Sequence, residues 1–325
     1  LRLSTLTTTF EKNLLADTNE LALIVDDVAE LDGLTSGELS AAAQAATDRG
    51  HEGAYALTLT LYTGHPYLSM LTNRATRKRL MDASRTKSNR GGPNDNREVL
   101  LEIARLRADR AALLGYDNHA AYVTADETAG SPEAVHALLR QLAPPAAANA
   151  LREQAALQAI ADAEPEPFAL AAEDWAFYTE KVRQAEYDID TTALRPWFEA
   201  ERVLQDGVFF AANKLYGVTF TERPDLVTYH PDARVFELHN EDGSALGLFV
   251  LDLYTRDTKR GGAWMNPIVS QSRLRGTKPV VVNNLNVPKP APGEPTLLTL
   301  DEVGTLFHEF GHALHALLSK SPYRG

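Results

Sequence analysis

The sequence predicts a mostly α-helical protein with a small β-sheet, arranged as two lobes. Three observations carry this. Apolar residues recur at helical spacing through residues 1–160. β-type runs appear between about 234 and 286. The length, 325 residues, exceeds that at which one hydrophobic core usually keeps growing. A helical N-terminal lobe over 1–165 and a second region over 166–325 are therefore expected.

Each element has a local reason. Ser36-Gly37-Glu38-Leu39 opens a helix, with Ser36 as N-cap and Leu39 starting the apolar pattern. Arg97–Leu114 is a helix marked by Val99, Leu100, Ile103, Leu106, Ala111 and Leu113-Leu114, and Gly115 stops it. The loop 91–96 precedes it. Pro144-Pro145 and Pro165-Glu166-Pro167 bracket a helical stretch over 146–163. Residues 175–216 are again helical, broken near Pro196. Their aromatics, Trp175, Phe177, Tyr178, Trp197, Phe198, Phe209 and Phe210, read as core. The basic cluster Arg74, Arg77, Lys78, Arg79, Arg85, Lys87 and Arg90 reads as a solvated helix face.

The pattern then changes. Residues 234–238 and 246–253 form two strands joined through Asn240-Glu241-Asp242-Gly243, a hairpin signal. Residues 279–285 form a third apolar strand, and a Pro-rich loop follows. The last element is a helix over 300–319. Thr299 and Glu302 make a capping box, with Leu298 and Val303 as a hydrophobic staple. Val303, Phe307, Phe310, Leu314 and Leu317 should face the core.

Composition excludes some functions. The net charge of −12 argues against a nucleic-acid partner, which wants a basic surface. No apolar run is long enough to span a membrane, and Leu1-Arg2-Leu3-Ser4 shows no signal-peptide pattern. The expected compartment is the cytoplasm, with the periplasm as alternative. There are no cysteines, so a metal would be held by His and carboxylate.

The most telling stretch is His308-Glu309-Phe310-Gly311-His312, an H-e-x-x-h pattern. In a helix, residues four apart share a face, so both imidazoles can reach one zinc ion, with Glu309 about 100° round the axis. There Glu309 can serve as general base for an attacking water. Zinc supplies acidity and polarises the scissile carbonyl. Chance would place these three residues so in roughly one chain in fifty or fewer. His315 lies about 10 Å from His308 along the axis, out of reach of an ion held by the other two. Two weaker candidates for substrate binding stand upstream. The strand carrying Asn283 and Asn284 could pair with an extended peptide at a sheet edge, or be an ordinary core strand. Gly262 sits in a flexible loop.

With these residues in view, the chain resembles the thimet oligopeptidase family of zinc metallopeptidases, and within it the bacterial peptidyl-dipeptidase branch. The likeness rests on Phe307-His308-Glu309-Phe310-Gly311-His312-Ala313-Leu314-His315. It extends to Leu251-Asp252-Leu253-Tyr254 with Arg256, Lys259 and Gly262-Ala263-Trp264. It also takes in Asn96-Arg97-Glu98, Glu102-Ile103, Arg105-Leu106-Arg107 and Leu114-Gly115-Tyr116. The resemblance implies a zincin-like, ellipsoidal fold with a central channel and a small sheet beside the zinc helix. It implies zinc held by His308, His312 and a glutamate beyond Gly325, with Glu309 as base. Short peptides are the implied substrates, cut to release C-terminal dipeptides, or internally as in the oligopeptidase branch. A non-catalytic zinc- or peptide-binding fragment is the rival reading. Residues 1–325 alone are expected to be inactive and to self-associate through exposed apolar surface.

Overall fold

The computed structural model describes residues 1–59, 66–187, 193–290 and 293–323. It divides into two compact units. The first holds Leu1–Thr35, Ala42–Leu59 and the described residues of 64–188; the second holds Ser36–Ala41 and the described residues beyond 189.

The first unit is helical. Its helices are α1 (Arg2–Glu20), α2 (Ser36–Thr47, whose first six residues group with the second unit), α3 (Tyr67–Met70), α4 (Arg74–Arg85), α5 (Arg97–Leu113), α6 (His119–Thr124), α7 (Pro132–Ala161) and α8 (Trp175–Tyr187). Two short strands, β1 (Leu23–Val25) and β2 (Tyr55–Leu57), pair antiparallel. The division falls after α8 rather than at 165, because Tyr178 of α8 is buried with Leu157 and Ala161 of α7. Pro144 and Pro145 do not break α7, which runs through both. That stretch is exposed, so water can take the carbonyls the prolines leave unpaired.

The basic cluster is not a solvated face throughout. Arg77 is 1% exposed and bonds through Nη2 to Asp174, itself fully buried, at 2.9 Å. Arg74 grips the same carboxylate from Nε and Nη2 at 2.9–3.1 Å. The guanidinium groups lie 4.0 Å from the Phe168 ring centre and 4.4 Å from that of Phe177. Lys87 donates to the Leu59 carbonyl at 2.9 Å, and Arg90 pairs with Asp17. Periodicity alone could not show this, because the acidic partners lie up to a hundred residues away.

The second unit carries the sheet. Its strands are β3 (Thr219–Glu222), β4 (Arg234–His239), β5 (Ala245–Tyr254), β6 (Trp264–Val269) and β7 (Val280–Val287), in the order β3-β4-β5-β7-β6. β3, β4 and β5 form an antiparallel meander, β5 and β7 run parallel, and β6 returns antiparallel along β7. The β4–β5 hairpin turns at Gly243, φ +79°, as the Asp-Gly signal requires. Helices α9 (Ala200–Arg202) and α10 (Phe210–Tyr216) flank a π-helical segment, Val203–Phe209. The long helix α11 (Leu300–Leu318) closes the unit. One sheet face buries Phe236, Phe249, Leu251, Val281 and Leu285 against α11 and the π-helical segment; the other buries Val235, Val250 and Val282.

Not every expected core aromatic is inside. Tyr178 and Phe209 are buried, but Trp197 is 67% and Phe210 55% exposed, and Trp175 is at the surface. No helix among the described residues is long and apolar enough to cross a membrane.

Candidate active site

Helix α11 is placed by its ends and its stripe. Thr299 Oγ1 accepts from the Glu302 amide at 3.1 Å, and Glu302 Oε2 accepts from the Thr299 amide at 2.7 Å, so the capping box forms as read. Leu298 and Val303 both join the core beneath it. Leu306, Phe310, Ala313 and Leu317 are buried, and Phe310 meets Phe249 edge-on at 5.2 Å. Phe307, expected in the core, is 40% exposed; it flanks the stripe, and its ring rests by Gly207.

Anchoring that stripe turns His308 and His312 outward. Both are exposed, with ring centres 4.8 Å apart and planes at 80°. Their Nε2 atoms converge to 3.1 Å. Two imidazole nitrogens on one tetrahedral zinc at ~2.0–2.1 Å stand about 3.3 Å apart, so the pair fits the ion with a slight opening. Glu309 is buried at 8% exposure, between the histidine face and the core stripe. Among the described residues no third His, Cys, Asp or Glu groups with these to complete a metal site. His315 is exposed on the following turn.

The weaker candidates separate. β7 is an inner strand, hydrogen-bonded to β5 on one side and β6 on the other. Its backbone is therefore not available to a peptide, contrary to the edge-strand reading. The sheet edge on this side belongs to β6, which the sequence reading passed over. Pro267 breaks its β signature, yet a proline is tolerated where one side of a strand has no partner. Strand alternation puts Asn283 on the α11 face with Val281 and Leu285, and Asn284 on the opposite face with Val282. Asn283 is fully buried, and neither Nδ2 nor Oδ1 has a partner among the described residues. An unmet buried amide costs roughly 1–3 kcal/mol. Gly262, at φ +89°, accepts through its carbonyl from Asn286 Nδ2 at 2.7 Å, and the Arg260 carbonyl accepts from the same nitrogen at 2.8 Å.

Sequence reasoning also missed a buried ionic cluster that holds this loop. Asp252, fully buried on β5, takes both Arg256 Nη atoms at 2.8 Å, Lys259 Nζ at 3.1 Å and the Tyr229 hydroxyl at 2.9 Å. Lys259 also donates to the Asp252, Tyr254 and Leu285 carbonyls. Burial alone would push Asp252 up, but hydrogen bonds from Arg256 and the nearby Lys259 charge hold it below the usual carboxylate value. Burial lowers Lys259 and, with Asp252 beside it, raises Tyr229. The cluster ties residues 255–263 to β5 and β7 and so sets where β6 begins. Asp252, Arg256 and Lys259 all fall in the stretch that carries the family likeness, which was the available signal.

Comparison with known proteins agrees with this geometry. Residues 67–325 match peptidase family M3. The chain is 42% identical over 320 residues to dipeptidyl carboxypeptidase of Escherichia coli K12, covering 98% of this chain and 47% of that protein. It is 40% identical over 326 residues to oligopeptidase A of the same strain, covering 98% and 48%. To organellar oligopeptidase A of Arabidopsis thaliana it is 33% identical over 327 residues, covering 96% and 41%. The chain spans about half the length of the curated relatives it matches. On the extent of this match, which takes in the helix of His308, Glu309 and His312, the chain belongs to peptidase family M3.

Proposed function

We propose that this chain is the zinc-binding part of a peptidase that hydrolyses short peptides and releases dipeptides from their C-terminus. The observation that carries the reading is the convergence of His308 and His312 Nε2 at 3.1 Å beside the buried Glu309. His308 and His312 would hold the metal. When bound, zinc supplies Lewis acidity toward the carbonyl to be cut and makes a water acidic enough to react near neutral pH. Glu309 takes the proton of the attacking water and passes it to the departing amine. The outer edge of β6 offers backbone groups along which an extended peptide can lie. A channel enclosing the site would restrict it to short, unfolded chains.

Removal of dipeptides requires that the enzyme recognise the substrate's free carboxylate through a charged or strong hydrogen-bonding group. With the full-length protein, mass spectrometry of digests should show successive loss of C-terminal dipeptides. Amidating the peptide's C-terminus should slow this at least tenfold. Internal cuts indifferent to amidation would instead place the activity with the oligopeptidases.

The lack of a third donor among the described residues favours a second reading for residues 1–325 by themselves. Two imidazoles hold zinc loosely, and we propose that a carboxylate outside this stretch completes the site. Expressed alone, residues 1–325 should lose zinc to a mild chelator and show little peptide cleavage. Tight, stoichiometric zinc with a third ligand drawn from within this stretch would refute that.

A further inference from the structure

Asn283 stands out as a fully buried amide with no partner among the described residues, in the layer between the sheet and α11. Its in-register neighbours are Leu251 on β5 and Met265 on β6, both packed in the core beneath α11. The buried residues of α11 are Leu306, Glu309, Phe310, Ala313 and Leu317. Glu309 is the one polar side chain among them.

The level of Glu309 above the sheet follows from the neighbours of Leu306, Phe310, Leu317 and Phe307. Along the helix axis, Leu306 shares a cleft with Leu251 and Leu253, Phe310 meets Phe249, and Leu317 lies against Gly247. α11 therefore runs antiparallel to β5, and Glu309 falls at the level between Leu251 and Phe249. On β7 that level is Asn283 to Val281. Around the axis, Phe307 and Glu309 lie on opposite flanks of the buried stripe, at about 100° per residue. The Phe307 ring reaches Gly207 in the π-helical segment, and that segment covers β3 and β4 through Phe209 on Phe220 and Phe236. Glu309 is thus turned the other way, toward β7 and β6.

We propose that Asn283 is a positioning residue for Glu309. Its carboxamide holds the carboxylate, through one internal water, in the orientation that proton transfer needs. Such a water accepts from Asn283 Nδ2 and donates to the Glu309 carboxylate, and bridging waters are a regular part of protein interiors. Asn283 has no exposed surface, so it acts on Glu309 and not on substrate. The inference rests on the peptidase reading for its kinetic consequence, and on packing alone for the contact.

The test is a double-mutant cycle in the full-length zinc-loaded protein, with Asn283→Leu and Glu309→Gln made singly and together. Asn283→Leu should lower kcat about 10- to 100-fold, the range seen when partners behind a site's own groups are removed. KM should move less than twofold and the zinc content should hold. In the Glu309→Gln background the same change should have almost no further effect on kcat. Asn283→Ser, which restores a polar group, should recover part of the loss. Melting temperatures form a second cycle that needs no turnover, and their shifts should be non-additive. If Asn283→Leu fails to fold, Asn283→Ser takes its place in both cycles. A wild-type kcat in the substituted protein, or additive effects in both cycles, overturns the proposal. If the full-length protein cleaves no peptide, the peptidase reading fails on its own, and the melting cycle alone decides the Asn283–Glu309 contact.

Discussion

Glu309→Gln in the full-length protein should leave zinc content unchanged and cut turnover by roughly 10²–10⁴, the usual contribution of general acid–base catalysis. That corresponds to about 3–5 kcal/mol of transition-state stabilisation at 1.36 kcal/mol per tenfold. Gln keeps the size of the side chain, so the packing of α11 around it is unchanged. In the proposed site the metal is held by His308 and His312, so its affinity should stay. The fall should appear in kcat and kcat/KM alike, because the lost interaction exists in the transition state. His308→Ala and His312→Ala should behave differently and lose zinc and turnover together. Near-normal turnover in zinc-replete Glu309→Gln would remove Glu309 from the mechanism.

Asp174→Ala should be the most damaging change in the first unit. It leaves Arg77, at 1% exposure, buried without its counter-charge, and breaking such a pair costs about 3–5 kcal/mol. For a unit of this size the midpoint of thermal unfolding should fall by on the order of 10 °C. Replacing the pair together, Asp174→Leu with Arg77→Met, should cost much less, since no buried charge is left isolated and Arg74, whose side chain is 42% exposed, is solvated. Equal losses from the single and the double change would argue against the pair. The same carboxylate gives a pH dependence. Burial by itself raises Asp174, but the hydrogen bonds from Arg74 and Arg77 outweigh it and hold the folded value below the ordinary one. The group therefore contributes its full stability above about pH 4, near the unfolded value, and loses it as the pH falls through the folded value. In Asp174→Ala that part of the acid-unfolding slope should disappear.

How much could be read in advance depended on how local each feature is. The capping box at Thr299 and Glu302, the outward pair His308 and His312, and the β4–β5 hairpin are set by residues within a turn or two of one another, and all three form. The helix over Arg97–Leu113 followed from its own periodicity. Two strands at the rim of the sheet were missed for a different reason. β3 is only four residues long, and β6 contains Asn266 and Pro267, which local propensity scores against a strand.

The sequence by itself determined the family, the helix that carries the candidate site, and which two imidazoles share its outer face. These follow from spacing on a single helix, where 3.6 residues per turn convert sequence distance directly into geometry. Tertiary structure decided the rest. It made β7 an inner strand and β6 the edge, buried Asn283 between the sheet and α11, and turned part of a basic stretch into the cradle of Asp174. It also gathered Tyr229, Asp252, Arg256 and Lys259 into one cluster. Each of these depends on strand order or on partners distant along the chain. No local period records them, because hydrogen-bond pairing and burial are settled by which surfaces meet when the elements pack.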